Sequence, residues 1–164
     1  MSTTYRTSRT VLRSIAAAGV VAAALSVTAG AAFAGGCPAD KMGVNVTKPG
    51  PSEPKDVKDT VLSSVDLGQE IPGFEGRKLR TRMLVIQPGG IVPWHSHQDR
   101  PALIYVMEGT VTEYASNCAV PIVHKTGELS VEQAGLSHWW KNTSKQPVVL
   151  ISADIAADPE TPGM

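Results

Sequence analysis

An all-β barrel or sandwich is the fold class this sequence predicts, on three observations. Beyond about residue 57 the chain breaks into short runs rich in β-branched and aromatic residues. Turn sequences containing glycine, asparagine or proline separate these runs at short, fairly even spacing. No stretch after residue 34 sustains the 3.6-residue apolar period of an amphipathic helix.

Taken in order, Thr60 to Leu67 places Val61, Val65 and Leu67 on one parity of an extended run. Leu79 to Gln87 sets Leu79, Met83 and Val85 against Arg80 and Arg82, and Pro88-Gly89-Gly90 reads as the turn that ends it. Leu103 to Met107 is β-branched and aromatic, and Thr110 to Ala115 follows a Glu108-Gly109 turn. Pro121 to His124, Leu129 to Val131 and His138 to Asn142 are short runs between turns at Ser116-Asn117, Thr126-Gly127 and Ala134-Gly135. Val148 to Ala153 is almost wholly apolar, the pattern of a strand covered on both faces.

The ends carry different information. Arg6, Arg9 and Arg13 precede an alanine-rich apolar stretch from Ile15 to about Val27, and Ala32-Phe33-Ala34 offers a small-residue cleavage site. This predicts an export signal over residues 1–34. It is too weakly apolar, being mostly Ala with Gly, Ser and Thr, to read as a stable membrane span. Residues 35–56, with Pro49, Pro51 and Pro54, read as an extended leader. Residues 57–155 form the barrel, and 156–164 a flexible tail. The whole chain balances 15 basic and 15 acidic residues, and three of the basic ones lie in the signal, so the remainder is acidic by three. No basic face suited to nucleic acid is visible. In an exported protein the two cysteines, Cys37 and Cys118, read either as a disulfide or as two separate thiols.

Three of the four histidines are grouped: His95 and His97 in Trp94-His95-Ser96-His97, and His138 in Ser137-His138-Trp139. Side chains at i and i+2 of a strand share a face, so His95 and His97 point the same way. Two imidazoles on one face, joined by a third from a later strand, make a donor set for one divalent transition metal. Such a set does not choose among Fe, Mn, Ni, Cu and Zn. The alternative is polar filling of a barrel that holds no metal.

Two spaced motifs contain these histidines. The first runs from Gly89 through His95 and His97 to Gly109, and the second from Gly127 through Gln133, Gly135 and His138 to Asn142. Their spacing resembles the paired motifs of the cupins. The resemblance implies a small single-domain cupin, a double-stranded β-helix or jelly-roll barrel, with His95, His97 and His138 at metal-ligand positions. It departs from the family pattern twice. Gln133 stands where proline is usual, and Ala102 stands where the family commonly has a glutamate ligand. Three neutral histidines leave a divalent ion with its full charge, a stronger Lewis acid and a better host for an anion than a two-histidine, one-carboxylate set. Asp99, Glu108 and Glu113 are the nearby acids. Asp99 and Glu108 lie at turns, and Glu113 is on the next strand, where it turns inward or, as strand acids ordinarily do, faces solvent.

Other side chains have both a working and an ordinary reading. Tyr105 and Tyr114 are candidates to orient a bound small molecule, and otherwise are strand-surface aromatics. Trp139 and Trp140 point to opposite faces, with Trp140 sharing the parity of His138. Trp94 reads as packing at the end of the barrel. His124, just before a glycine turn, reads as exposed. Arg100 beside Asp99 reads as a loop ion pair, and Arg80 and Arg82 share a face toward an anion or water. The functional expectation is an exported metal-binding cupin that oxidises a small chelating molecule. The competing expectation is a non-catalytic module that holds a small ligand or a metal. Cupin barrels often pair through their sheets, so a homodimer is expected, with Thr60 to Leu67 a candidate strand.

Overall fold

The computed structural model describes residues 35–157, and the export signal expected over 1–34 and the last seven residues lie outside it. Eight strands dominate: β1 (Lys55–Asp66), β2 (Arg77–Ser96), β3 (Ala102–Glu108), β4 (Thr110–Ala115), β5 (Ile122–Lys125), β6 (Leu129–Glu132), β7 (Ser137–Lys141) and β8 (Val148–Ala157). One helical turn, α1 (Leu67–Glu70), follows β1 and is capped by the Asp66 side chain, which accepts from Gly68 N–H at 3.0 Å. The sheet runs in the order β5-β4-β7-β2-β8-β3-β6, with β1 added against β2. It curls into a barrel. Its ends approach at the β5–β6 turn, where Gly127 N–H donates to Val106 O at 2.9 Å and Val106 N–H donates to Glu128 O at 3.0 Å.

The largest departure from the sequence expectation is β2. Pro88-Gly89-Gly90 does not end the strand; it bends it. Residues 77–86 pair with β8, whereas 91–96 pair with β7. One strand therefore serves both sides of the barrel. Gly89 adopts φ +77°, a backbone state that disfavours a side chain. At Gly90 an added Cβ would stand 2.8 Å from the carbonyl oxygens of Asp56 and Gln87. Asn142 secures the bend: its carbonyl accepts from Gly89 N–H at 2.9 Å, its N–H donates to Gly90 O at 3.0 Å, and its side chain donates to Ile86 O at 2.9 Å.

Two boundaries also move. β1 starts at Lys55, inside the stretch expected to be a leader, because its edge finds a long antiparallel partner in β2. β8 runs on to Ala157, through the expected start of the tail. It alternates strictly, with Val148, Leu150, Ser152, Asp154 and Ala156 buried and the intervening residues only half-buried, so it is covered fully on one face and not on both.

The inward parity of these strands builds two apolar clusters. Leu84, Ile86, Ile104, Val106, Trp140, Val148 and Leu150 belong to the larger, with Ala102 and Val111. Ala115, Cys118, Ile122 and Leu136 form the smaller, with Cys37 packed against it. Cys37 and Cys118 are disulfide-bonded, with Cα atoms 5.6 Å apart. The leader is thus fastened to the barrel, and Met42 adds a β-bridge to Cys118.

The bond joins residues 81 apart in sequence. Closing a loop of that size removes denatured-state entropy worth at most about 4–5 kcal/mol, and measured losses on removing a native disulfide are typically about 2–5 kcal/mol. The double variant C37A/C118A is therefore expected to lose about 2–4 kcal/mol, read as a lower urea midpoint. An unshifted midpoint would show that the tether is energetically idle.

Candidate metal centre

His95 sits on β2 directly opposite His138 on β7. His97 lies just past the end of β2, where its N–H donates to Leu136 O at 2.8 Å, and this holds the β2 exit beside the β7 entry. The three Nε2 atoms face one another at 3.0 Å (His97 to His138), 3.1 Å (His95 to His97) and 3.1 Å (His95 to His138). Behind each ring the Nδ1 meets an acceptor: Pro93 O at 2.8 Å for His95, Arg100 O at 2.7 Å for His97, and a Glu113 carboxylate oxygen at 2.6 Å for His138. A carbonyl only accepts, so the backbone contacts place the proton on Nδ1 of His95 and His97, and the carboxylate does the same for His138.

Three Nε2 lone pairs therefore converge. Burial pushes His95 down to about 3, reinforced by the closeness of the His138 ring. Burial likewise pushes His97 to about 4, against the opposing effect of its bond to Arg100 O. Near neutral pH no proton sits on Nε2 of His95 or His97 to relieve the crowding of nitrogens. A cation does relieve it. Three nitrogens 3.0–3.1 Å apart are close enough for one ion to be held by all of them. The donor set is compatible with a metal ion, and burial together with fixed Nδ1–H bonds preorganises it.

Glu113 proves to be inward, not solvated, and it is 2 % exposed. It is not a substitute for the missing ligand, because it binds the far side of His138. Its other oxygen accepts from His124 Nε2–H at 2.8 Å. His124, expected at the surface, is fully buried and stacks on Trp140 with ring centroids 4.7 Å apart. Both misassignments have one cause. β4 pairs with β5 so that Val111 lies opposite His124, and Glu113 lies opposite Trp140 of β7, directions that a single strand does not reveal. Burial alone would raise the Glu113 carboxyl, but hydrogen bonds from His124 and His138 outweigh it and hold it down near 2.

Sequence reasoning missed Glu132 and Asp154 altogether. Both are about 1 % exposed, and both lie directly opposite Ala102, Glu132 on β6 and Asp154 on β8. The acid absent from position 102 is thus flanked by a buried acid on each side. Asp154 is held by the Arg80 guanidinium through two hydrogen bonds of 3.1 and 2.9 Å and contacts Arg82 at 3.3 Å. Among the described residues neither Glu132 oxygen has a partner at good hydrogen-bond geometry; His138 Nδ1 lies 3.5 Å from one of them, and the Ser130 side chain is also close. Burial pushes its carboxyl up to about 7.

A cavity of about 180 Å³ opens on the Nε2 side of the triad, walled by Leu84, Val92, Ile104, Trp140 and Leu150, with Arg82, Arg100, Asp59 and Ser152 among its polar residues. Trp140 is in this wall, as its parity with His138 requires. The two tyrosines are not. Tyr105 is 41 % exposed on the outer parity of β3. Tyr114 stacks on Trp139, centroids 4.1 Å apart and planes 8° apart, on the outer face of β4 and β7. Neither lines the cavity, so the structure corrects their expected role in orienting a ligand. Trp94 is half-buried and outside the cavity, and its N–H donates to Pro51 O at 2.8 Å. Arg100 does not pair with Asp99 but reaches Asp154 at 3.5 Å.

Comparison with known proteins agrees with the architecture. The family described as Cupin domain matches residues 82–154. Nectarin-1 of Nicotiana plumbaginifolia is 30 % identical over 118 residues, 70 % of this chain and 50 % of the relative. Germin-like protein subfamily 2 member 2 of Arabidopsis thaliana is 31 % identical over 109 residues, 63 % of this chain and 50 % of the relative. The chain spans about half the length of these curated relatives. Among solved structures, a predicted oxalate decarboxylase from Thermotoga maritima superposes with a TM-score of 0.50 at 16 % identity, covering 70 % of this chain and 96 % of that one, a likeness of fold.

The raised Glu132 carboxyl generates a pH test. The unfolded chain ionises this group near 4.5 and the folded chain near 7, so between those values unfolding releases a proton and stability falls as pH rises. Glutamine does not titrate. In metal-free protein, E132Q is expected to gain stability relative to wild type from pH 4.5 to 7 and to hold that gain at pH 8, as followed by urea unfolding across the series. A difference that does not change with pH would remove Glu132 as the titrating group.

Proposed function

This chain belongs to the cupin superfamily, and from that premise we propose that it is an exported protein that binds one divalent transition metal through His95, His97 and His138 and uses it to oxidise a small chelating molecule. The convergence of three Nε2 atoms, each on a ring whose Nδ1 meets an acceptor, carries this reading. The bound ion would supply Lewis acidity and redox chemistry, with positions left open on the cavity side. Everything else is the work of the chain. Pro93 O, Arg100 O and Glu113 keep the three rings aimed. Trp140, Leu84, Ile104 and Leu150 give the cavity apolar walls. Apart from Asp59 and the triad itself, the cavity lining offers no carboxyl or imidazole to act as general acid or base, and Asp59 is tied to Arg82. That poverty of proton-transfer groups favours chemistry centred on the ion over hydrolysis.

The disulfide is compatible with an oxidising compartment outside the cytoplasm, and no helix among the described residues is long and apolar enough to cross a membrane. The exposed Val61, Leu62 and Val65 of β1 support the further reading that two copies pair through this strand.

Elemental analysis is the direct test. Wild-type protein is expected to retain about one equivalent of a divalent transition metal per chain, and H97A and H138A to retain none. E113Q, which loses the carboxylate behind His138, is expected to keep the stoichiometry but to bind the metal about 10- to 100-fold more weakly in chelator competition. Metal at 100 times its dissociation constant should stabilise the wild type by about 2.7 kcal/mol and leave H97A unchanged. A wild-type protein that takes up no metal under these conditions would refute the reading.

A further inference from the structure

The charges that line the cavity are unequal: Arg82 and Arg100 share it with one carboxylate, Asp59, while Asp154 lies outside the lining and Glu113 sits on the far side of His138. Three guanidiniums, Arg80, Arg82 and Arg100, surround two carboxylates, Asp59 and Asp154. They are not equally satisfied. Arg80 makes a two-pronged contact with Asp154, and Arg82 bonds to Asp59 and lies 3.3 Å from Ser152 Oγ. Among the described residues the Arg100 side chain has one ion-pair contact, the Asp154 oxygen at 3.5 Å, and that oxygen already serves the other two arginines. Its side chain is one-quarter exposed, and Arg100 lines the cavity together with His95 and His97. The Nε–H of Arg82, another lining residue, is buried without an acceptor. An arginine carries five donors and cannot shed its charge, so a largely buried guanidinium with one loose contact has donors to spare.

Position strengthens the argument. The carbonyl of Arg100 holds His97 Nδ1–H at 2.7 Å, so the backbone that orients a candidate ligand of the metal also carries the free guanidinium. The two cannot drift apart by more than the length of one side chain. Around them the walls are apolar, and the cavity, about 180 Å³, is smaller than the roughly 300–1,000 Å³ of a drug-sized site.

We propose that Arg100 is an anion clamp that selects small carboxylates with a short apolar body, gripping the carboxylate while a second oxygen of the same molecule faces the three histidines. The proposal rests on the metal reading for the identity of the second contact, but not for the clamp. A divalent ion on the three histidines would add two positive charges beside Arg82 and Arg100, against only Asp59 in the lining and Glu113 behind His138, and an anionic ligand would offset that excess where a neutral one would not. The apolar walls accept the body of the ligand and disfavour a polyhydroxylated one.

The probe pair is 3-methyl-2-oxobutanoate and its neutral amide, compared by calorimetry near neutral pH on nickel-loaded and on metal-free protein. The carboxylate is expected to bind at least 10-fold tighter than the amide. R100M is expected to weaken the carboxylate about 10- to 100-fold while leaving nickel stoichiometry and amide affinity unchanged. R100K, which keeps the charge but loses the fork, should recover part of the loss. The retained amide affinity distinguishes a lost clamp from a collapsed pocket. Equal affinity for the two probes, binding of neither, or an R100M protein that holds the carboxylate as wild type does, would overturn the clamp while leaving the metal reading intact. If the wild type fails to load nickel, the metal reading fails instead, and the metal-free protein still decides the clamp by its preference between the probes.

Discussion

The site depends on the hydrogen bond behind each imidazole. Each of three rings offers two nitrogens, and the protein binds the Nδ1–H of every one, which leaves every Nε2 as a bare donor aimed at one point. The three restraints differ in reach. Pro93 O acts from two residues before His95 and Arg100 O from three residues after His97, so both are properties of a local chain path. Glu113 acts on His138 from a different strand, β4, and is itself held by His124 on β5. A ring held only by packing can flip, and a flipped ring presents a proton to the others. A ring with a buried Nδ1–H bond loses that bond if it flips, at a cost of about 1–3 kcal/mol for the group left unpaired.

The same interior shows how a barrel manages the loss of an acid. Ala102 points inward at the place where many cupins have a ligand glutamate, and Glu132 and Asp154 stand on either side of it in register. Neither repeats the missing role. Asp154 is committed to three arginines, an arrangement that keeps its charge in an interior where an unpaired carboxylate is costly. Glu132 lacks such partners, and the protein tolerates it by favouring the neutral acid. The result is an interior with one carboxylate for charge pairing, one for orientation of His138 and one held close to neutrality.

The long bent strand β2 joins these parts. Its first half carries Arg80 and Arg82 beside β8, and its second half carries His95 beside β7. The bend at Gly89 and Gly90 is what sets Arg82 and His95, from the two halves of one strand, on walls of one cavity. The motif glycine is thus as important to the site as the histidines, and for a different reason: the chain must pass through a backbone state and a close approach that exclude a side chain.

Much of this was legible in the chain before any folding was considered. The alternating runs give the all-β class, the two motifs give the cupin resemblance, and the i, i+2 spacing gives the shared face of His95 and His97, because these are periodicities carried by single strands. The parity of Trp140 with His138 follows in the same way. What the sequence left open was every question that needs two strands. The inward turn of Glu113, the burial of His124, the flanking of Ala102 by Glu132 and Asp154, and the outward turn of Tyr105 and Tyr114 are set by which strand lies beside which, and in what register. A one-residue change in register exchanges the inner and outer faces of a strand. Pairing across dozens of residues is a property of the closed barrel, and that is why the tertiary structure alone decided which polar side chains meet.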